Sequence, residues 1–349
     1  MTPNPSDPAQ PVSRGRGLRV VAMGGGTGLS RLLKGLKRHV SDDQHAAIAE
    51  LCAVVTVSDD GGSSGRLRKE FNVLPPGDIR NCIAALSEDE ALLSRLFQHR
   101  FQAGSGLNGH SFGNLFLTAL TEVTGDFAEA VKRSSEILAT RGHIYPATTS
   151  DVQLEAVMAD GRRVLGETKI TASTGRIVEV QLLPADARPL PQTLEAIATA
   201  DLITIGPGSL FTSLVPNLLV HGIPEAVSAS AAVKIFICNL MTQANESLDL
   251  TAADHVRILH SHAHARIFDY ALINQTQVSA DVAANYAKER ACQIECDVER
   301  VEAEGVKVIL GDYLEESDGV ARHASERVTQ DLLRLALKPS ETATAAPAS

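Results

Sequence analysis

The sequence predicts an α/β fold, a mainly parallel sheet with helices on both faces and a small antiparallel β insertion. Three observations predict it. Short apolar runs end in glycine-rich or polar loops, as buried parallel strands do. Stretches of helical period lie between those runs, so strand and helix alternate along the chain. Between Val152 and Leu183 the apolar period shortens to two.

The elements follow in order. Leu18–Met23 is a short apolar run bounded by glycine, hence a buried strand. After Gly24–Gly28, the residues Leu29, Leu32, Leu33 and Leu36 repeat at helical spacing, with Arg31, Lys34, Lys37 and Arg38 between them. Leu51–Val57 is the second strand, and it opens into a loop of glycines, serines and charges. A helix is expected from about Asp78 to Gln98, with Asp78 as its N-cap after Pro75-Pro76-Gly77. Ser111–Val123 is apolar nearly all round and reads as a buried helix, whereas Asp126–Thr140 reads as a surface helix. In the insertion, Val152, Leu154, Ala156 and Met158 alternate with polar residues, Asp160-Gly161 turns the chain, and Val164–Ile170 and Ile177–Leu183 continue the pattern. Leu194–Ala200 is helical, Leu202–Ile205 and Val233–Cys238 are strands, and alternation continues to a final helix near Ala324–Leu337. Residues 18–337 therefore read as one domain with its β insertion at about 152–183. Residues 1–17 and 338–349, rich in Pro, Ser, Thr and small residues, read as disordered tails.

Bulk properties narrow the function classes. The net charge of −10 argues against broad binding to nucleic acid or anionic membranes. No apolar run approaches the ~20 residues of a membrane span, and residues 1–17 lack the apolar segment of a signal peptide, so a cytoplasmic protein is expected. Cys52, Cys82, Cys238, Cys292 and Cys296 read as free thiols in a reducing compartment, with no second ligand pair to complete a zinc site around Cys292 and Cys296. His255, His260, His262 and His264 look like a metal cluster, but the alternating trio His260, His262 and His264 reads as a surface segment without a helpful carboxylate.

The chemistry sits at strand ends. Gly24, Gly25, Gly26, Thr27 and Gly28 link a strand to a helix, but Leu29 stands where a dinucleotide fingerprint needs its third glycine. Their backbone N–H groups and the positive helix end still suit a diphosphate. Asp59 and Asp60 end the next strand, and a bare carboxylate pair would repel a phosphate. Either Mg²⁺ intervenes at Asp59 and Asp60, or an aspartate accepts ribose hydroxyls while Gly61, Gly62, Ser63 and Ser64 take the phosphate beside Arg66. Asp78 and Asn81 open a helix, and Asp78 reads either as a cap or as a ligand group. His110 and Asn114 lie four residues apart on an otherwise apolar helix and need partners. Gly206, Pro207, Gly208, Ser209 and Ser213 follow a third strand end, and Asn239, Thr242 and Gln243 a fourth. Four such strand ends predict one large binding crevice. A Walker A sequence is absent.

These residues also carry a resemblance. Met23–Ser30, Val57–Arg66, Leu74–Asn81, Gly109–Asn114, Thr121–Asp126, Ile205–Ser213 and Cys238–Gln243 are similar, in order, to the signature blocks of the YvcK-like gluconeogenesis factor family. That family is related to CofD, the 2-phospho-L-lactate transferase of deazaflavin coenzyme biosynthesis. The resemblance spans about residues 18–330. It implies a Rossmann-like CofD fold and binding of UDP-N-acetylglucosamine or UDP-glucose. It further implies a regulator that supports cell shape and cell-wall precursor supply under gluconeogenic growth, with an enzyme of amino-sugar or cell-wall precursor synthesis as partner. It also draws attention to Tyr286, in a Tyr-x-x-Glu stretch, and to Arg322, where Ala324-Ser325 replaces the family's Asp-Pro after Arg-His. Ala244-Asn245-Glu246-Ser247 replaces the usual Pro-Gly-Glu-Thr. A homodimer is expected from the size of the apolar helices.

Three functions compete. The first is a nucleotide-sugar-binding regulator. The second is a CofD-like transferase moving a phospholactyl-type group from a nucleotide donor, with Asp59 or Asp60 holding Mg²⁺ and activating the acceptor hydroxyl; the aromatic content of 4% and the lack of Trp leave no obvious platform for a deazaflavin. The third, an NAD(P)-dependent dehydrogenase, rests on the first glycine loop alone.

Overall fold

The computed structural model describes residues 16–41, 47–88 and 90–337. The expected tails lie outside these residues, apart from Arg16 and Gly17. The chain begins with β1 (Leu18–Gly24), α1 (Gly26–Lys37) and β2 (Ile48–Val55). Five helices follow: α2 (Gly62–Phe71), α3 (Gly77–Leu86), α4 (Glu90–Gln98), α5 (Phe112–Thr124) and α6 (Phe127–Ile137), before β3 (His143–Pro146). The insertion holds β4 (Gln153–Met158), β5 (Arg163–Leu165), α7 (Glu167–Ala172) and β6 (Ile177–Leu183). Then come α8 (Pro191–Thr199), β7 (Leu202–Ile205), a π-helical turn (Leu210–Leu214), α9 (Val215–Leu218), α10 (Ile223–Ala229) and β8 (Val233–Ile237). The last part comprises α11 (Ala252–Ala263), β9 (Tyr270–Asn274), α12 (Ala280–Ala287), α13 (Val298–Ala303), β10 (Lys307–Gly311), the hairpin β11 (Leu314–Ser317) and β12 (Val320–His323), and α14 (Ser325–Ala336).

Seven strands form a parallel sheet in the order β10-β9-β8-β7-β1-β2-β3. From β1 the chain runs outward through β2 to β3, then returns to β7 on the other side of β1 and runs outward to β10. The direction of winding therefore reverses between β1 and β7, the Rossmann-like switch point where such sheets bind ligands. Their register pairs Val20 with Leu202 and Met23 with Ile205, so Gly24 and Gly206 leave the sheet side by side. Val20–Met23 and Leu51–Val55 are buried on both faces, which explains their unbroken apolar runs. Leu29, Leu32, Leu33 and Leu36 of α1 are buried against this sheet, each worth roughly 1.5–3 kcal/mol of transfer free energy.

Several elements differ from the sequence reading. The expected helix 78–98 is two helices, because Ser87 turns extended and bridges to Thr140. Pro76 occupies the N-cap position of α3, so Asp78 lies in the first turn and is not the cap. The polar stretch after Asp60 is mostly helix α2: Leu67, Arg68, Lys69 and Glu70 are good helix formers that the preceding glycines disguised. The α5 helix is buried on one face only; it packs Gly113, Asn114, Leu117 and Thr118 inward and leaves Val123 81% exposed. Within the insertion, three strands pair antiparallel in the order β5-β4-β6, but Val164–Ile170 is largely helix α7. The histidines lie on and just after α11; His264 is exposed as expected, His262 is half-buried, and His260 is buried and stacked on Phe268, so the trio is only in part a surface segment.

Candidate nucleotide crevice

The two glycine loops at the switch point interlock. A Cβ on Gly28 would lie 2.3 Å from the carbonyl oxygen of Pro207, so only glycine lets the loops touch. A Cβ on Gly25 would lie 2.6 Å from Thr56 Cγ2 and 2.7 Å from Asp78 Oδ2. Asn239 fastens the second loop from the end of β8: its Oδ1 accepts from Gly208 N at 3.1 Å and its Nδ2 donates to Gly208 O at 2.7 Å. Gln243 Nε2 donates to Ser209 Oγ at 2.8 Å, and Asn217 Nδ2 donates to Gly24 O at 3.2 Å.

A cavity of about 1140 Å³ opens over this junction. Gly25, Gly26, Thr27 and Gly28 line it with Pro207, Gly208, Ser209, Ser213, Asn239, Thr242, Gln243, Tyr286 and Arg322. Its far wall is basic, with Arg31 and Lys34 of α1 and Arg38 just beyond it facing the β11–β12 hairpin and the start of α14. Arg31 meets Glu315 at 3.3 Å and Arg38 meets Glu326 at 3.5 Å, while Arg322 Nη1 donates to Ser317 O at 2.9 Å. The sequence reading took Arg31, Lys34 and Arg38 only as the polar face of a helix; their i, i+3, i+7 spacing along α1 was the available signal.

The second strand end behaves differently. Asp59, Asp60, Gly61, Gly62, Ser63, Ser64, Arg66, Asp78, Asn81, His110 and Asn114 do not line this cavity. Neither do Gly24 and Gly206, which lie beneath it. The residues expected in one crevice thus fall into two adjoining groups, and Gly25 touches both. In the second, Asp59 Oδ1 accepts from Gly61 N at 2.8 Å, an Asx turn. Asp60 Oδ1 accepts from Thr168 N at 2.8 Å and Thr168 Oγ1 at 2.7 Å, tying α7 of the insertion to the core. Ser63 Oγ and His110 Nδ1 are 3.0 Å apart, and Asn114 Nδ2 donates to Ser64 Oγ at 3.3 Å. His110 and Asn114 thereby find their partners on α2. Arg66 donates to Asn108 O at 2.9 Å, and Arg80 to Asn81 Oδ1 and Ser111 Oγ, both at 2.8 Å.

Charge accumulates behind Gly25. Burial, then the Asp59 carboxylate, push Asp78 up to about 6 against the opposing pull of the Gly26 N–H and Arg80. Glu167, on α7, is pushed up to about 9 by burial and then by Asp59, Asp78, Glu246 and Asp60. Sequence reasoning missed Glu167 because only the folded insertion brings it near Asp59. It also missed Glu246, whose Oε1 accepts from Phe211 N at 2.8 Å and Thr212 N at 3.1 Å. A protein carboxylate therefore occupies the Phe211 and Thr212 amides that follow the second glycine loop. Asn245 stands at φ 60°, a left-handed conformation that asparagine tolerates better than other side chains, so the altered Ala244–Ser247 loop keeps its course. His323, on the cavity wall, is lowered to about 4 by burial; its Nε2 lies 3.0 Å from Cys238 O.

The fit of a divalent cation can be read from these contacts. Asp60 is engaged with Thr168, while Asp59 Oδ2 lies against Gly77 beside Asp78. Asp59 also raises Asp78, so a cation beside Asp59 would relieve that repulsion as well. Among the described residues no three His, Cys, Asp or Glu side chains form a metal-binding group, and Mg²⁺ commonly makes do with one or two carboxylates plus phosphate oxygens and water. A dinucleotide site of the dehydrogenase kind would want an acid from the end of β2 on the ribose; Asp59 and Asp60 lie outside the cavity lining.

Comparison with known proteins gives concordant results. Residues 20–314 match the family described as 2-phospho-L-lactate transferase CofD. The chain is 46% identical over 317 residues to the gluconeogenesis factor of Bacillus subtilis, covering 91% of this chain and 98% of that protein. It is 47% identical over 314 residues to the gluconeogenesis factor of Halalkalibacterium halodurans, covering 90% and 95%. A crystal structure of a Bacillus halodurans protein superposes with a TM-score of 0.87 at 46% identity, over 91% of this chain and all of that one.

Proposed function

This chain belongs to the gluconeogenesis-factor family within the CofD superfamily, and from that premise we propose that it is a regulator that binds a UDP-sugar in the β1–β7 crevice. The observation that carries the reading is the interlock of Gly28 with Pro207 at the switch point, beneath a cavity of about 1140 Å³. That volume exceeds the usual ~300–1,000 Å³ of small-molecule sites and suits a nucleotide with a sugar attached. The diphosphate lies at the α1 N-terminus, where the backbone N–H groups of Thr27 and Gly28 and the helix dipole favour anions, the Gly26 N–H being held by Asp78. Arg322 supplies charge from the opposite wall, and Tyr286 a flat apolar face. UDP-N-acetylglucosamine and UDP-glucose are the proposed ligands. Among the described residues no single helix is long and apolar enough to cross a membrane, and the proposed setting is the cytoplasm. There the protein adjusts an enzyme of amino-sugar or cell-wall precursor synthesis, and so cell shape, during gluconeogenic growth.

Calorimetric titration with each UDP-sugar tests the proposal. One-to-one binding is expected, weakened at least tenfold in Arg322→Ala. No heat and no thermal stabilisation at millimolar ligand would overturn it.

One observation favours a second reading, a CofD-like transferase. Asp59 and Asp78 form a like-charged pair behind Gly26, which lines the crevice and donates its N–H to Asp78. A regulator has no evident need of such a pair. Mg²⁺ held there would neutralise phosphate charge and acidify an acceptor hydroxyl; Asp59 and Asp78 would hold it, and Asp78 would keep orienting the first glycine loop through Gly26 N–H. Turnover of a nucleotide-activated phospholactate with a hydroxyl acceptor decides between the readings.

A further inference from the structure

Three arginines from three elements converge on one short segment outside the crevice. Arg66 of α2 donates to Asn108 O at 2.9 Å. Arg80 of α3 donates to Ser111 Oγ at 2.8 Å. Arg100, two residues beyond α4, donates to Gly109 O. All three guanidinium groups thus end on residues 108–111. The segment offers them two carbonyls and a hydroxyl but no counter-charge.

Among the described residues none of the three makes an ion pair within 4 Å, whereas most of the other described arginines do. The chain has 42 acidic and 32 basic side chains, so acids are not scarce. The cations act on one another. Arg100 depresses Arg80 after burial, and Arg66 and Arg100 both depress His110, also after burial. The carboxylates that oppose them do so from beyond contact: Asp78 and Asp59 on Arg80, and Glu70 on His110. Arg80 Nε is in addition buried without a partner. Arg66 and Arg100 are exposed and Arg80 is half-buried, so the group is open to a ligand.

We propose that Arg66, Arg80 and Arg100 form a second anion site, separate from the crevice, that binds a phosphoryl dianion, free or carried by a small metabolite. Guanidinium forks match phosphate oxygens in pairs, and a dianion answers the uncompensated charge that a halide or single carboxylate would leave. The Ser111 hydroxyl adds one neutral partner. The site shares the first turn of α3 with Asp78, which reaches Gly26 of the crevice, so the two sites stand on one helix end. The proposal stands whether or not the crevice takes a UDP-sugar.

The test titrates the full chain with inorganic phosphate and with glycerol phosphate, read by calorimetry and thermal melting against KCl at equal ionic strength. Wild type should bind saturably, with affinity reduced tenfold or more in Arg66→Ala and in Arg100→Ala. Arg66→Lys and Arg100→Lys keep the charge but lose the fork, and should weaken binding threefold or more even if an alanine variant folds poorly. Arg163→Ala, on β5 of the insertion and outside both sites, should bind phosphate within twofold of wild type. Equal binding of both probes assigns the site to phosphomonoesters, and binding of inorganic phosphate alone assigns it to the free ion. Stabilisation reproduced by KCl would overturn the proposal. So would unchanged affinity across the Arg66 and Arg100 variants, or loss in Arg322→Ala alone.

Discussion

The ends of β1 and β2 look alike in sequence, each a buried strand running into glycines and small hydroxyl residues, yet the fold uses them in opposite ways. The loop after β1 meets the loop after β7 and stays open to a cavity. The segment after β2 is closed over: Asp59 turns back on Gly61, Asp60 fastens the insertion, and Ser63 and Ser64 pair with His110 and Asn114. A polar strand end is therefore only a supply of hydrogen-bonding groups. Whether a ligand or the protein satisfies them depends on which element packs beside it.

The contrast can be broken most severely at Gly28. Gly28→Val must displace the Pro207 backbone, and we expect a loss of about 3 kcal/mol or more in urea denaturation together with loss of UDP-sugar binding. Stability within ~1 kcal/mol of wild type would show that the loops do not interlock. Asp78 tests the partition between the two regions. Its folded value of about 6 lies above the ordinary carboxylate value of 3.8, so the fold prefers the protonated acid and loses stability as pH rises from 4 through 6. Asp78→Asn should remove that slope, narrowing the stability gap between pH 4.5 and pH 7.5 by ~1 kcal/mol after allowance for partial exposure. An unaltered slope would place the charge conflict elsewhere. The mildest change is Asp60→Ala, which frees Thr168 N and Oγ1 at a cost of about 1 kcal/mol. Amide exchange in residues 168–172 should quicken severalfold while residues 26–28 stay as they are; equal quickening in both would mean that the β2 segment supports the crevice directly.

What the sequence disclosed follows the same line. Buried parallel strands advertise themselves through unbroken apolar runs, so β1, β2, β7 and β8 were legible, as was α1 through its leucines. The short edge strand β3 and the β11–β12 hairpin were not, because half-buried strands of four residues carry too little pattern. The residue types of the crevice were readable from glycine loops at strand ends. Its partition was not, because it depends on Asp60 meeting Thr168 and Glu246 meeting Phe211, contacts 108 and 35 residues apart along the chain. The family resemblance drew attention to Tyr286 and Arg322, which local pattern alone gave no reason to choose; the fold sets both on the cavity wall.

The pairing of β1 with β7 has a consequence for assembly. Val20 waits for Leu202, and Arg31 waits for Glu315, so the crevice is closed by some of the least local contacts in the protein. Such contacts form slowly, after the entropy of a long loop has been overcome. A chain leaving the ribosome has β1, β2 and β3 early but owns no binding site until its second half has docked. A ligand in the crevice can then protect only the finished molecule against unfolding and proteolysis, and a chain stalled before β7 gains nothing from it.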